Sequence, residues 1–314
     1  MLAFVFPGQG SQSVGMQAAL AAESAAVRAT YQEASSVLGY DLWDLASRGP
    51  ADSLNATERT QPAMLTAGVA AYRAWLEREG PEPRVMAGHS LGEFSALVCA
   101  GALQFADAVA LTRYRGEVMQ AAVPPGAGAM AAVLGLEDAD VEAACAEAAQ
   151  GQVVQAVNYN APGQIVIAGD KDAVGRAIAA CEQRGAKRAI LLPVSVPAHS
   201  SLMKTAGDRL RERLAAVRVA KPRVPVYAIG LTRHQDPEQI KDAVVRQLSA
   251  PVRWSETVRD MVANGARVIV ESGPGKVLTA LNRRIERNKE IAMVALEDPA
   301  ALAAALGAAR AAAA

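Results

Sequence analysis

The sequence predicts an α/β fold with a mostly parallel central sheet and a small inserted domain. Continuous apolar segments such as Leu2–Phe6, and the apolar centre Val268–Val270 of the predicted strand Arg267–Glu271, are typical of parallel strands that are buried on both faces. Each of these segments ends in a turn rich in glycine and proline, and a helical pattern follows. A different order of elements, with antiparallel character, occupies residues 126–195 and indicates the second domain.

The composition fits one large or two modest domains, because 314 residues that are 51% hydrophobic bury a sizeable core. Lys+Arg and Asp+Glu number 32 each, which argues against bulk attraction to nucleic acid or to a membrane. No apolar run reaches the roughly 18 residues of a membrane span, and no basic region of a signal peptide precedes the first strand. Cys99, Cys145 and Cys181 lack metal-binding spacing and are expected to be reduced core residues of a cytoplasmic protein.

The chain begins with the strand Leu2–Phe6, which ends abruptly in a Pro-Gly-Gln-Gly turn. Gln9 therefore lies at the carboxyl end of a strand, where open α/β sheets bind ligands, although a turn residue facing water is equally consistent. Residues 12–38 are predicted to form one helix, and a polar loop follows. Another helix is expected from Thr60 to about Arg78, with Pro62 near its first turn.

The next strand, Val85–Gly88, leads into the motif Gly88-His89-Ser90-Leu91-Gly92 and then into an apolar helix. A Gly-x-Ser-x-Gly motif between a strand and a helix is typical of a nucleophile elbow, which exposes the serine hydroxyl. The N-terminal N–H groups of the helix would favour negative charge on a reacting carbonyl. The alternative is a serine that only caps the helix. With the parallel sheet, the elbow predicts an α/β-hydrolase-like core in which Ser90 is the nucleophile.

A helix is predicted from Phe105 to Ala122, and it carries two arginines on opposite faces. Arg113 lies on the polar face and is expected to be a solvated surface charge. Arg115 shares the apolar face with residues such as Leu111, so its guanidinium requires an anion or must lie along the surface. That anion is either part of a structural ion pair or arrives with a substrate.

The Pro124-Pro125-Gly126 run marks a domain boundary. Beyond it, the order strand-helix-strand-strand-helix-strand is that of a ferredoxin-like domain. The predicted organisation is a large α/β-hydrolase-like catalytic domain, residues 1–125 and 196–314, with a ferredoxin-like inserted subdomain, residues 126–195. Asn158 and Asn160 stand next to a tight turn in this insert, where their amides either line a cleft or cap the turn.

The remaining elements complete the core of the large domain. The patterns predict, in order, a helix over 202–217, a strand over 224–229, a helix from Pro237, a helix over 254–263, a strand over 267–271, a helix through Ile285 and a strand over 291–296. The alanine-rich end after Pro299 carries little information, and its last residues are expected to fray.

A serine nucleophile needs a base within hydrogen-bond reach, and the chain has three histidines. His89 is adjacent to Ser90, and on a strand its side chain would point to the opposite face, which makes it a poor base. His234 lies in a polar loop and is expected to face solvent. By elimination His199 is the base. A carboxylate, a backbone carbonyl or an amide remain open as the group that orients its imidazole.

Seven motifs occur in order along the chain. They are Phe6-Pro7-Gly8-Gln9-Gly10-Ser11-Gln12, Gly88-His89-Ser90-Leu91-Gly92-Glu93, Arg115-Gly116-Glu117-Val118-Met119-Gln120, Asn158-Tyr159-Asn160-Ala161-Pro162-Gly163-Gln164, Val196-Pro197-Ala198-His199-Ser200, Val245-Arg246-Gln247-Leu248 and Glu271-Ser272-Gly273-Pro274-Gly275. Together they resemble the malonyl-CoA:acyl carrier protein transacylases of type II fatty-acid synthesis, which share a core with polyketide synthase acyltransferase domains. The resemblance extends from about residue 2 to about residue 298.

The resemblance implies a role for each matched residue. Ser90 would be the nucleophile and His199 the base. The backbone N–H groups of Gln9 and Leu91 would form an oxyanion hole, and Arg115 would pair bidentately with the malonyl carboxylate.

Three further residues take supporting roles in the same resemblance. The backbone carbonyl of Gln247 would orient the histidine ring, and Asn158 and Asn160 would border the cleft between the domains. The implied reaction moves a malonyl group from malonyl-CoA to the phosphopantetheine thiol of acyl carrier protein, through a malonyl-serine and a ping-pong cycle that supplies fatty-acid elongation. Malonyl-CoA is then a substrate, no cofactor or metal is expected, and the partner is an acidic carrier protein.

Three alternative functions are consistent with parts of the sequence. The chain resembles in part a trans-acting polyketide synthase acyltransferase that uses malonyl-CoA or another acyl-CoA. A serine esterase would use the same elbow, and a carrier-docking subunit would use none of it. The sequence also departs from the family pattern at Tyr227–Leu231, where an asparagine-containing segment is usual, so the loop through His234 is expected to be rearranged.

Overall fold

The computed structural model describes residues 1–194, 196–234 and 236–312. Four residues lie outside this description: Ser195, Gln235, Ala313 and Ala314. Ser195 is the last residue of the predicted insert, and Gln235 follows His234. The chain forms two compact units. The first comprises Met1–Gly116, Ala216–Ile240 and Thr257–Ala314, and the second comprises Glu117–Ala215 and Lys241–Glu256.

The strands follow one another in an order close to the predicted one. They are β1 (Leu2–Phe6), β2 (Val85–Gly88), β3 (Gly128–Leu134), β4 (Val154–Ala161), β5 (Gln164–Asp170), β6 (Arg188–Leu191), β7 (Val226–Tyr227), β8 (Arg233–His234), β9 (Val268–Glu271) and β10 (Ala292–Ala295).

The α-helices alternate with these strands in the first unit and cover one sheet in the second. They are α1 (Ala18–Glu23), α2 (Ala25–Leu38), α3 (Leu42–Arg48), α4 (Ala51–Asn55), α5 (Thr57–Glu77), α6 (Gly92–Cys99), α7 (Phe105–Gln120), α8 (Asp138–Ala149), α9 (Lys171–Gln183), α10 (Lys204–Ala215), α11 (Pro237–Arg246), α12 (Trp254–Ala263), α13 (Val277–Ile285) and α14 (Pro299–Ala311). Short 3₁₀ turns lie at Ser201–Met203, Ile229–Leu231 and Gln247–Ser249.

The first unit is built on a six-stranded sheet in the order β10-β9-β1-β2-β7-β8. Its strands are parallel except for β8, which pairs antiparallel with β7 at the edge. Strand β1 is fully buried at the centre, because every residue of Leu2–Phe6 is apolar and both faces are covered. The register places Phe6 opposite Gly88, so β1 and β2 end together at one edge of the sheet. The predicted α/β-hydrolase-like class with a mostly parallel sheet is confirmed.

The second unit contains a four-stranded antiparallel sheet in the order β4-β5-β3-β6. Helices α8 and α9 pack on it through small and branched side chains such as Ala144 and Val174. The β-α-β-β-α-β order and this strand order are those of a ferredoxin-like domain, as predicted. All of these elements fall within residues 126–195, while the compact unit that contains them starts at Glu117 and adds Lys241–Glu256.

The predicted single helix over residues 12–38 is divided in the structure. Ser24 adopts an extended conformation between α1 and α2, and its Oγ accepts a hydrogen bond from the backbone N–H of Val27. The same hydroxyl donates to Glu77 at 2.6 Å. Ser24 is therefore an N-cap that starts a new helix, which a continuous apolar pattern does not reveal.

Two other segments are more helical than predicted. The polar loop before residue 60 contains α3 and α4, and α5 begins at Thr57. The alanine-rich end forms α14, which starts at Pro299 and is capped by Asp298 through a 2.8 Å hydrogen bond to the N–H of Ala301. Among the described residues, no helix combines the length and the apolar character that crossing a membrane requires.

Candidate active site

Ser90 occupies a strained turn between β2 and α6. Its φ of 52° lies in the left-handed region, which is uncommon for a residue with a side chain. The turn is held by hydrogen bonds from the N–H of His89 to the carbonyl of Phe6 at 3.0 Å and from the N–H of Gly92 to the carbonyl of His89 at 3.0 Å. Backbone strain that the surroundings maintain is typical of functional positions, and this geometry is that of the predicted nucleophile elbow.

The glycines of the motif are required by close backbone contacts. A Cβ on Gly88 would lie 1.9 Å from the backbone nitrogen of Glu93, and a Cβ on Gly92 would lie 2.0 Å from the carbonyl oxygen of Phe6. A Cβ on Gly8 would lie 2.6 Å from the carbonyl oxygen of His89. The turn after β1 and the elbow after β2 are therefore packed backbone against backbone.

The two residues predicted to form an oxyanion hole follow neighbouring strand ends. Gln9 comes three residues after Phe6, and Leu91 comes three residues after Gly88, which is the register partner of Phe6. Leu91 also precedes the first residue of α6, where helical N–H groups without intrahelical acceptors begin. This placement agrees with the proposed role of their N–H groups, which remains a prediction.

Arg115 is buried on α7, with only 1% of its surface exposed. Its Nη1 donates to Oε1 of Gln61 at 2.9 Å, and its Nη2 lies 3.4 Å from Oγ of Ser90. The guanidinium carbon lies 5.7 Å from the ring centre of Phe94 on α6. Arg115 is buried and Arg113 is exposed, so the predicted apolar and polar faces of this helix are confirmed, and of the two placements left open for the Arg115 guanidinium the structure shows the interior one. The structure thus brings a buried cation to the hydroxyl of the elbow serine.

The charge of Arg115 persists at neutral pH in spite of its burial. Loss of hydration lowers the pKa of its guanidinium to about 10, and the negative charge of Glu93 opposes this decrease. A cation in a poorly hydrated environment attracts an anion more strongly than one in water. The position is therefore suited to a substrate that carries a carboxylate next to its reacting carbonyl.

His234 lies in the interior, and the prediction that it faces solvent is wrong. Only 3% of its surface is exposed, and its Nε2 lies 2.6 Å from Oε1 of Glu93 on α6. The reason is the short strand β8, which adds a hairpin to the edge of the sheet beyond β7. The sequence contained one signal for this contact, because Glu93 lies in the first turn of an apolar helix and a buried carboxylate requires a partner.

His199 is buried in the second unit, and a ring and a backbone hydrogen bond hold its conformation. Its φ is 64°, and its Nδ1 lies 2.8 Å from the carbonyl oxygen of Gln247. The backbone N–H of His199 also donates to the carbonyl of Leu248 at 2.9 Å. A carbonyl oxygen only accepts hydrogen bonds, so Nδ1 carries the proton and Nε2 is the basic nitrogen of the neutral ring. The orienting group, left open by reasoning from the residues, is this carbonyl.

Asn158 and Asn160 lie on β4, which extends to Ala161. Asn158 forms a parallel bridge to Val252 at a shift in the strand register, and its Oδ1 is buried without a hydrogen-bond partner among the described residues. Asn160 is also buried. Both side chains therefore belong to the strand rather than to the Pro162-Gly163 turn, and their role at a cleft stays a prediction.

Gln61 is the residue of this site that reasoning from the sequence missed. It lies in α5, is buried, and holds one nitrogen of the Arg115 guanidinium. The signal was a glutamine immediately before Pro62 within an apolar helix, where a buried amide requires a polar partner.

Comparisons with known proteins show the family of this chain. Residues 3–302 match the family model of the acyl transferase domain. The chain belongs to the acyl transferase domain family. This acyltransferase is 56% identical over 305 residues to the malonyl CoA-acyl carrier protein transacylase of Escherichia coli (strain K12), which covers 97% of this chain and 98% of that protein.

Solved structures resemble this acyltransferase over almost its whole length. An acyl carrier protein S-malonyltransferase from Vibrio cholerae superposes with a TM-score of 0.93 at 54% identity, covering 96% of this chain and 99% of that chain. A malonyl-transacylase in complex with its type II polyketide synthase acyl-carrier protein superposes with a TM-score of 0.95 at 50% identity, covering 98% and 99%. The resemblance inferred from the seven motifs is confirmed, and the esterase and non-catalytic alternatives are set aside.

Proposed function

We propose that this acyltransferase moves a malonyl group from malonyl-CoA to the phosphopantetheine thiol of acyl carrier protein, by way of a malonyl ester on Ser90. The observation that carries the proposal is the 3.4 Å approach of Arg115 Nη2 to Ser90 Oγ at a strained elbow. A nucleophile beside a buried cation fits an acyl group whose far end is a carboxylate. The names of the relatives, which are malonyl transacylases, support the same substrate.

In the first half-reaction, Oγ of Ser90 attacks the thioester carbonyl carbon of malonyl-CoA, and Nε2 of His199 takes the hydroxyl proton. The bond from Nδ1 to the carbonyl of Gln247 keeps the tautomer in which Nε2 is the base. The N–H groups of Gln9 and Leu91 would bind the oxyanion of the tetrahedral intermediate. When this intermediate collapses, the carbon–sulfur bond breaks, and the imidazolium returns the proton to the sulfur of CoA.

In the second half-reaction, the thiol of the carrier's phosphopantetheine gives its proton to His199 and attacks the ester carbonyl of malonyl-Ser90. The carbon–oxygen bond breaks, Oγ regains the proton, and the malonyl thioester leaves on the carrier. One thioester is converted into another, so the cycle consumes no cofactor and requires no metal; malonyl-CoA is a substrate.

Arg115 gives the reaction its preference for a dicarboxylic acyl group. Its planar guanidinium forms two parallel hydrogen bonds to a carboxylate, which lysine cannot do with the same geometry. Gln61 would hold the arginine in place by its 2.9 Å bond to Nη1, so that the fork is preorganised. An acyl group without a carboxylate leaves this buried cation without an anion from the substrate, which disfavours its binding.

The partner of the second half-reaction would be an acyl carrier protein that supplies fatty-acid elongation. Relatives that are 56% identical carry the name malonyl CoA-acyl carrier protein transacylase, and one similar structure is a complex with a carrier protein. The same complex concerns a polyketide synthase carrier, so transfer to fatty-acid and polyketide carriers should be measured in parallel. A cytoplasmic location belongs to this proposal, and the three free, buried cysteines are consistent with it.

Intact-protein mass spectrometry after incubation with malonyl-CoA tests the proposal. The wild-type chain should gain the mass of one malonyl group, and addition of phosphopantetheinylated carrier protein should remove it. Ser90→Ala should abolish the gain. Ser95→Ala is the matched control, because Ser95 lies on the same helix with a buried Oγ that has no hydrogen-bond partner among the described residues. Acylation that persists in Ser90→Ala would reject the proposal.

A further inference from the structure

Glu93 carries a buried carboxylate in the first turn of the helix that follows the elbow serine. It belongs to the first turn of α6, three residues after Ser90, and its side chain is 4% exposed. Burial of a carboxylate has a large free-energy cost unless a cation or hydrogen-bond donors contact it. The structure supplies His234, whose Nε2 lies 2.6 Å from Oε1 of Glu93.

Arg115 is a second buried group that attracts the same carboxylate. Arg115 Nη2 lies 3.4 Å from Oγ of Ser90, three residues before Glu93, and the negative charge of Glu93 raises the pKa of the Arg115 guanidinium against the effect of burial. Arg115 also lies against Phe94, the residue that follows Glu93. An arginine paired with an internal carboxylate offers less of its fork to the carboxylate of a substrate, because the same N–H groups serve both.

We infer that His234 is a positioning residue for substrate selection, which binds the carboxylate of Glu93 and so keeps it from pairing with Arg115. The inference rests on the proposed function, in which Arg115 binds the carboxylate of the malonyl group. His234 touches no reacting atom in this scheme. It acts through Glu93, and its effect should be specific to acyl groups that carry a negative charge.

The hairpin that carries His234 is anchored, as such a role requires. His234 pairs with Val226 in the β7–β8 ladder, and Arg233 pairs with Tyr227. The guanidinium of Arg233 lies 5.1 Å from the ring centre of Tyr227 and 3.6 Å from Oδ2 of Asp260. The hydroxyl of Tyr227 donates to Asp260 as well. These contacts fix the short edge strand against α12 and hold the imidazole at Glu93.

The test compares the acylation of Ser90 by malonyl-CoA and by acetyl-CoA in the full chain. His234→Phe keeps a planar ring at this position but lacks the ring nitrogen that contacts Glu93. We expect the malonyl acylation rate of this variant to fall by about tenfold or more, because Arg115 then forms its charge-assisted bonds with Glu93 and not with the malonyl carboxylate. The acetyl acylation rate should change by less than about threefold, because acetyl carries no carboxylate. His234→Gln retains an amide N–H that can donate to Glu93, and it should keep most of the malonyl rate.

Removing the competing carboxylate provides the decisive comparison. Glu93→Gln in the His234→Phe background should restore malonyl acylation, whereas a merely structural role of the pair predicts no rescue. Equal losses with both acyl groups, or no loss with either, would overturn the inference. Arg115→Ala distinguishes a failure of the proposed function from a failure of the role of His234. If this variant leaves the malonyl-to-acetyl ratio unchanged, the proposed function fails; if it lowers the ratio and His234→Phe does not, only the role of His234 fails.

Discussion

The imidazole of His199 is oriented by the backbone carbonyl of Gln247, 2.8 Å from Nδ1, and not by a carboxylate. Both partners are buried, and the 3₁₀ turn Gln247–Ser249 that presents the carbonyl directly follows α11. A carbonyl fixes the tautomer of the ring as a carboxylate would, but it adds no negative charge. For an acyltransferase whose proposed substrate carries its own carboxylate, a carbonyl gives the proposed base no neighbouring negative charge.

The first prediction follows from the fact that Gln247 contributes a main-chain atom. Gln247→Ala should keep the acylation rate within about threefold, with a loss of about 1–3 kcal/mol in unfolding free energy because a buried polar side chain is removed. His199→Ala should lose a factor of about 10² to 10⁴, which is typical for a general base. Single-turnover acylation and urea denaturation measure both effects. If Gln247→Ala were as inactive as His199→Ala, the side chain and not the carbonyl would orient the ring.

The second prediction concerns the two arginines of α7. Arg115→Ala should lower malonyl acylation by about tenfold or more and reduce acetyl acylation much less, because only malonyl has a carboxylate to pair. Arg115→Lys should be intermediate, since lysine keeps the charge without the planar fork. Arg113→Ala, two residues away and exposed, is the matched control and should stay within about twofold of the wild type. The malonyl-to-acetyl ratio from competition experiments gives the answer directly.

The fold could be predicted from the sequence wherever a single local pattern decides the structure. The strand Leu2–Phe6 and the helix α12 have the predicted type and the predicted bounds, because apolar period and flanking turns agree there. The division of the first helix at Ser24 was missed, since that cap depends partly on Glu77, 53 positions away. Helix α14 was missed because an alanine-rich sequence lacks an apolar period to mark its buried face.

Part of the site could be predicted because its motifs are local. The elbow at Ser90 and the inward face of Arg115 follow from spacing alone. Gln61 and His234 could not be found in this way, since each is defined by a partner far along the chain: Arg115 for the first and Glu93 for the second. A polar sequence around His234 indicated a solvated loop, and the edge pairing of β8 with β7 overrides it.

The third prediction concerns the pH dependence of stability through Glu271. This residue ends β9 with no exposed surface, and its carboxylate accepts hydrogen bonds from the N–H groups of Leu278 at 3.0 Å and Thr279 at 2.6 Å. Burial raises the pKa of Glu271 above its usual value of 4.5, and these bonds oppose only part of the increase. The folded chain therefore holds a proton that the unfolded chain has released, so this contribution to stability is present below about pH 4.5 and is lost as the pH rises through the raised pKa.

Glu271→Gln removes this titration. The difference in unfolding free energy between the variant and the wild type should shift in favour of the variant as the pH rises from about 4.5 towards neutrality. Urea denaturation at a series of pH values measures this difference. Parallel pH profiles for the two proteins would show that the carboxylate titrates alike in the folded and unfolded chains.

The last prediction compares two glycine-to-alanine substitutions whose outcomes should be opposite. At Gly88, a Cβ would lie 1.9 Å from both the backbone nitrogen of Glu93 and the carbonyl carbon of Gly92, neither of which belongs to a side chain that can turn away. Gly88→Ala should therefore displace the start of α6 and with it the elbow. We expect a loss of about 3 kcal/mol or more in unfolding free energy, and loss of acylation of Ser90 in any chain that still folds.

Gly175 is the matched control because it is exposed within α9, and a Cβ there would meet nothing within 4 Å. Alanine in place of a helical glycine reduces the entropy of the unfolded chain, so Gly175→Ala should gain about 0.5–1 kcal/mol and leave acylation unchanged. Thermal unfolding and the malonyl mass shift, measured on both variants, distinguish the two positions. A Gly88→Ala chain as stable and active as Gly175→Ala would mean that the elbow tolerates a side chain, and that the backbone contact is not what holds Ser90 in its strained conformation.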